Sequence, residues 1–160
     1  MSNIKILCVG KIKEKFCRDA IAEYEKRLSR YCKLSIIEVA DEKTPDRSSE
    51  TEELQIKEKE AARLRSHIRD NDYVIALAID GKSFDSVAFA EHLGQLAVSG
   101  KSSLIFVIGG SLGLHPSILS QCDELLSFSA MTFPHQLMRV ILLEQLYRSY
   151  RIQNHEPYHK

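Results

Sequence analysis

The sequence lacks the marks of a metal centre, a disulfide scaffold or a membrane anchor. Its four cysteines, Cys8, Cys17, Cys32 and Cys122, lie far apart and form no CxxC pair. That excludes the usual zinc and redox spacings and leaves the thiols as small packing residues, Cys8 within an apolar run. His155 and His159 are four apart, but Pro157 between them breaks any helical metal pair. No metal is therefore expected. The apolar start, Ile4 to Val9, is strand length and flanked by lysines, too short for a signal peptide or a membrane span. Free thiols without an export signal point to the cytoplasm. Low-complexity tracts, internal repeats and linkers are absent too, which excludes disordered and solenoid classes.

Net charge is also missing: 22 Lys/Arg balance 22 Asp/Glu. A protein with no overall field binds nucleic acid weakly on charge alone, so selectivity would have to come from a structured target. The charge is nevertheless uneven. Residues 1–31 carry eight Lys/Arg against four Asp/Glu, and residues 135–160 carry four against two. The middle of the chain is acidic. If the two ends meet in space they can form a local phosphate-binding surface; otherwise they are solvated helix faces.

What is present is an alternation of strand and helix patterns in one domain of 160 residues, 44% hydrophobic. Strands are expected at Ile4–Val9, Leu34–Val39, Tyr73–Ile79, Leu104–Ile108 and Leu125–Phe128. Helices are expected at Glu14–Tyr31, from Ser49 to about Ile68, at Ser86–Val98, at Pro116–Gln121 and at Pro134–Tyr150. On the first helix Phe16, Ile21, Tyr24, Leu28 and Tyr31 form the apolar series. Ser49 with Glu52 makes a capping box. On the third helix Val87, Ala90, Leu93 and Leu96/Ala97 share a face. Leu104–Ile108 is almost wholly apolar, as a strand covered on both faces reads. The tail Arg151–Lys160 has no periodicity. This order implies an α/β fold with a mainly parallel sheet flanked by helices.

Open sheets of this class bind ligands beyond the carboxyl ends of their strands. Three such ends carry candidate residues. Leu77 lies in the first, which is closed by Asp80-Gly81. The second is Gly109-Gly110-Ser111-Leu112-Gly113. Its glycines permit positive φ and close approach by a ligand, or simply a tight turn. Neither GxGxxG after the first strand nor GxxxxGK[ST] is present, so a phosphate-binding loop is not indicated. The third end interleaves Ser127, Ser129 and Thr132 with Phe128, Met131 and Phe133. Such a loop can hold an adenine edge with backbone groups, or can be a polar turn with apolar anchors. His135 and Arg139, four apart at the start of the last helix, project from one face, suited either to anionic partners or to internal support. The last helix bears Leu137, Val140, Ile141, Leu142, Leu143, Leu146, Tyr147 and Tyr150, more apolar surface than one stripe needs. That is the expectation for an isologous dimer.

Gly109-Gly110-Ser111-Leu112-Gly113-Leu114 together with Ser127 to Arg139 resembles the RlmH type of SPOUT methyltransferase. The likeness extends to Glu144-Gln145-Leu146-Tyr147-Arg148, to the ending Pro157-Tyr158-His159-Lys160, and to Val9-Gly10-Lys11 and Ala22–Arg27, covering nearly the whole chain. The resemblance implies an α/β-knot with a C-terminal trefoil knot, a homodimer and S-adenosylmethionine as methyl donor. It also implies methylation at N3 of a pseudouridine in large-subunit ribosomal RNA, on assembled ribosomes. Position by position, it assigns the cofactor to Leu77, Gly109, Phe128, Ser129, Ala130, Met131, Thr132 and Phe133. The family often has lysine where this chain has Ala130. His135, Arg139, Tyr158 and His159 become the catalytic candidates, the tail lying over the active site. A ribosome-binding factor without catalysis and a nucleotide hydrolase are the competing classes. Intact Gly109, Thr132, His135 and Arg139 weigh against the first, and the missing phosphate-loop lysine against the second.

Overall fold

The computed structural model describes residues 1–160. The elements are β1 (Ser2–Val9), α1 (Lys15–Leu28), β2 (Cys32–Val39), α2 (Glu50–Arg65), β3 (Tyr73–Ser83), α3 (Ser86–Val98), β4 (Ser103–Ile108), α4 (Pro116–Leu119), β5 (Glu124–Ser127) and α5 (His135–Gln153). The five strands form one sheet in the order β2-β1-β4-β3-β5, every pair parallel. All carboxyl ends therefore share one edge.

Period-two alternation decides which helix covers which face. Ile4, Ile6 and Cys8 of β1 and Leu104, Phe106 and Ile108 of β4 point to one side. There they meet Ile21 and Leu28 of α1, Phe89, Leu93 and Leu96 of α3, and Leu142, Leu143 and Leu146 of α5. Leu7, Val9, Ile105 and Val107 point to the other side, against Ala61 and Leu64 of α2 and Ile118 of α4. Residues 104–108 of β4 are buried throughout, which is why no polar residue interrupts them. Cys8 is buried and its thiol is pushed up to about 12 by that burial, the nearby Arg139 charge partly opposing. It packs and does not react.

Several expectations are revised by packing. Phe16 is not on the buried face of α1: it is 66% exposed, and Cys17 takes the core position. Val87 and Ala97 are exposed as well, because Phe89 and Leu96 fill the core on α3. The last helix runs three residues further than its apolar pattern, to Gln153. The tail then reverses at His155, a non-glycine residue at φ 55. Arg151 pins it, donating to Glu156 (2.7 Å) and to the Pro157 carbonyl (2.7 Å). The capping box of α2 is present, Glu52 N–H donating to the Ser49 hydroxyl at 3.1 Å.

Strand β3 does not end at Ile79. Leu77 pairs with Leu126, the chain bulges outward over four residues, and Lys82 returns to pair with the same Leu126. Gly81 lies on that return. A Cβ there would sit 2.6 Å from the Leu125 carbonyl carbon, so only glycine lets the two backbones pass.

Candidate active site

The bulge forms one wall of a cleft of about 770 Å³ at the carboxyl edge of the sheet, a volume ordinary for a nucleoside-sized ligand. Leu77–Asp80 line one side and Ile108–Leu114 another. The third wall is the segment from Leu126 to His135, joined by Met138. Twelve of the 22 lining residues are hydrophobic, so the cleft suits a largely apolar or aromatic ligand held by a few backbone polar groups.

Each wall has a local cause. In the glycine loop the positive φ falls at Gly113 (φ 83), not at Gly109 or Gly110. Gly113 N–H donates to the Gly110 carbonyl at 3.0 Å and closes the turn. Gly109 is required for a different reason: a Cβ there would lie 2.7 Å from the Gly113 carbonyl carbon. Its missing side chain makes room for the loop's own backbone, the tight-turn alternative of the two that the sequence left open. In the third wall the Ser127 hydroxyl donates to the Ser129 carbonyl (3.2 Å), and Met131 N–H donates to the Ser129 hydroxyl (3.0 Å). These two bonds hold the turn that brings Met131, Thr132 and Phe133 onto the cleft. Met131 is 72% exposed, a large apolar side chain open at the rim.

The expected cofactor residues Leu77, Gly109, Phe128, Ser129, Met131, Thr132 and Phe133 all line this cleft; Ala130 does not. His135 lines it too, half-buried at the start of α5. Burial, and then the charge of Arg139, hold its imidazole below the usual histidine value, with Asp41 opposing. It is therefore neutral and able to accept a proton near pH 7.

Arg139 is placed otherwise than as a group facing the cleft mouth. It is 1% exposed. Its guanidinium donates to Glu38 Oε2 at 2.6 Å and to the carbonyls of Gly10 (2.6 Å) and Val9 (3.2 Å). It thus clamps the N-terminal part of α5 to the ends of β1 and β2. Glu38 also accepts from Ile12 N–H at 3.0 Å, so the β1–α1 loop joins the same frame. Reading the sequence missed Glu38, and it placed the Leu77-to-Lys82 segment at the site as a strand end and not as a bulge. A lone acid ending β2 carries no local signal, whereas Asp80-Gly81 read as a strand end.

Tyr158 and His159 are not at the cleft within one chain. Tyr158 packs edge-on against Tyr147 (4.9 Å between centroids) and donates to Glu144 Oε1 at 3.1 Å. His159 Nδ1 lies 3.0 Å from an Arg148 nitrogen. Glu144 is nine residues beyond His135, about 14 Å along the helix axis. No group of three or more His, Cys, Asp or Glu side chains is arranged to hold a metal. No helix is long and apolar enough to cross a membrane.

A family model described as "Predicted SPOUT methyltransferase" matches residues 2–159. The chain belongs to that family. This SPOUT methyltransferase is similar over its length to two proteins called ribosomal RNA large subunit methyltransferase H. One, from Bifidobacterium adolescentis, is 61% identical over 157 residues, 98% of this chain and 99% of the relative. The other, from Clostridium novyi, is 59% identical over 158 residues, 99% of each chain. Among solved structures, a probable methylase family protein from Haemophilus influenzae Rd KW20 aligns with TM-score 0.55 at 16% identity. That alignment covers 98% of this chain and 70% of the other, and it speaks for the fold alone. Membership implies a methyl donor, and the cleft at the carboxyl edge is the place in this fold with the volume and lining to take one.

Proposed function

We propose that this chain, acting as one 160-residue unit in a cytoplasmic homodimer, transfers a methyl group from S-adenosylmethionine to N3 of a pseudouridine in large-subunit ribosomal RNA. The observation that carries the reading is a cleft walled by the family's glycine loop and Ser127–His135 segment, in a chain about 60% identical, end to end, to ribosomal RNA methyltransferases. The C-terminal trefoil knot of the family belongs to the same reading.

The cleft fits the donor. Its apolar walls suit an adenine ring, and the turn at Ser127–Met131 is braced by its own serine hydroxyls along one wall. Leu77, Gly109, Phe128, Ser129, Met131, Thr132 and Phe133 would hold it, with Ala130 supporting through its backbone. When bound, S-adenosylmethionine supplies an electrophilic methyl on a sulfonium. The chain must do the rest. N3 of pseudouridine carries a proton, and a neutral imide nitrogen is a weak nucleophile. Neutral His135 at the cleft rim takes that proton as the base. Arg139, buried beneath it, acts as a positioning residue: it fixes the start of α5 and adds its charge to the burial that lowers the His135 imidazole.

Tyr158 and His159 enter the site from a second protomer in this reading. Their distance from the cleft along their own α5 supports it, as do Leu137 and Ile141, half-buried apolar residues of that helix that lie outside both core clusters. The test is methyl transfer from labelled S-adenosylmethionine to ribosomes from a strain lacking this activity, with nuclease digestion and mass spectrometry of the product. Methyl on N3 of pseudouridine is the expected result. No transfer, or methyl on another base, refutes the assignment.

A further inference from the structure

The β1–α1 loop and the first turn of α1 are exposed, rich in cations and tied to the rim of the cleft. Lys11, Lys13, Lys15 and Arg18 all face solvent, and Phe16 beside them is 66% exposed. None of Lys11, Lys13 and Arg18 takes part in an ion pair. Lys15 pairs only with exposed Asp19, an interaction that water screens. Glu14 and Asp19 are the segment's acids, so a surplus of positive charge remains.

The segment's position is as informative as its composition. Lys13 N–H donates to the Gln136 side chain at 3.2 Å, next to His135. A Cβ on Gly10 would lie 3.9 Å from His135 Nε2. Arg18 turns back onto the loop and donates to the Lys13 carbonyl at 2.8 Å, while Glu38 holds Ile12 N–H. The backbone is thus rigid, and the lysine heads are free. An aromatic ring thus stands in water among unpaired cations, on a braced loop beside the cleft.

We propose that Lys11–Arg18 is the RNA-gripping surface of this enzyme. Lys11 and Lys13 hold phosphates flanking the target nucleotide, and Phe16 stacks on a neighbouring unpaired base. The inference rests on the ribosomal RNA reading above and adds where the RNA lies. A base that must leave its stack to enter a cleft leaves phosphates and an unstacked neighbour at the rim. Cations and one aromatic face complement those two features.

The experiment compares the full-length enzyme with Lys11→Ala/Lys13→Ala, Phe16→Ala and Phe16→Trp, using ribosomes that lack the modification. It reads kcat, KM and their salt dependence, with S-adenosylmethionine affinity by calorimetry and oligomeric state by light scattering. The double lysine variant should raise KM and lower the slope of log(kcat/KM) against log salt by about two, one for each phosphate no longer neutralised. Phe16→Ala should raise KM roughly tenfold, the size of one base–aromatic stack, and Phe16→Trp should restore it. Unchanged KM and slope would overturn the inference. So would a loss of cofactor affinity, which makes the segment part of the cleft, or dissociation to monomer, which makes it a subunit interface. Failure of the parent enzyme to methylate ribosomes would sink the underlying reading itself, and is seen separately in the control.

Discussion

Replacing Arg139 by alanine tests whether the frame under the cleft is structural or directly catalytic. The side chain is 1% exposed and makes three bonds, to Glu38 and to the carbonyls of Val9 and Gly10. Removing one member of a buried ion pair costs about 3–5 kcal/mol when the other charge is left without water. Glu38 is one-third exposed and can rehydrate, so the lower end of that range applies. The two carbonyls lose a charged donor. A loss of about 3 kcal/mol in a domain of this size lowers Tm by roughly 6–12 °C. Arg139→Lys keeps the charge without the planar fork and should fall between the two. There is a second, electrostatic consequence. Arg139 pushes the His135 imidazole down, so its removal lets that value rise. If neutral His135 is the base, the acid limb of the pH–rate profile moves to higher pH in Arg139→Ala. The assay is thermal unfolding and the pH dependence of methyl transfer on one set of preparations. An alanine variant with unchanged Tm and abolished transfer would refute the framing role and put the guanidinium on the substrate.

Three further outcomes are expected. Gly109→Ala should suffice to weaken S-adenosylmethionine binding, because a methyl group 2.7 Å from the Gly113 backbone forces the loop open; calorimetry showing parental affinity would remove that steric argument. Glu60 is 5% exposed and its carboxyl is raised above the ordinary glutamate value, by burial first and by Asp41 and Glu42, with the Glu42 N–H opposing. Between the unfolded and folded values the native state binds more protons, so stability falls as pH rises through that window. Glu60→Gln, which keeps an acceptor for Glu42 N–H at the same site, should raise Tm at neutral pH and flatten the pH dependence above the ordinary glutamate value; a lower Tm at all pH values would contradict this. Deleting the tail after Glu156 keeps the Arg151–Glu156 pair. It should leave the oligomeric state and cofactor affinity intact while sharply lowering methyl transfer, and a truncation with unchanged oligomeric state and full activity would exclude Tyr158 and His159 from the site.

Much of the fold is readable before any coordinates, because local pattern and burial agree. The apolar run at Leu104–Ile108, the Ser49/Glu52 box and the Ser86–Val98 helix each follow from short-range physics: two-sided burial, a satisfied helix terminus, a 3.6-residue period. The cleft segments are legible as glycine-rich and mixed polar–apolar strand ends, and family resemblance joins them. The tertiary structure decided the rest, since it depends on partners far away in the chain. Arg139 looks like a cation presented at a helix start; it is buried because Glu38, 101 residues earlier, lies opposite it across the sheet edge. Leu77–Gly81 looks like a strand ending at a turn; it is a bulge, because the approach of β5 lets only Gly81 pass and returns Lys82 to the register of Leu77. Phe16 fits the helical period of α1, yet Cys17 is rotated into the core and Phe16 into water, since the helix is oriented by what α5 and the sheet leave open. Local energetics determine which segments are helix and strand, whereas the pairing of distant charges and the clearance between backbones are properties of the assembled chain alone.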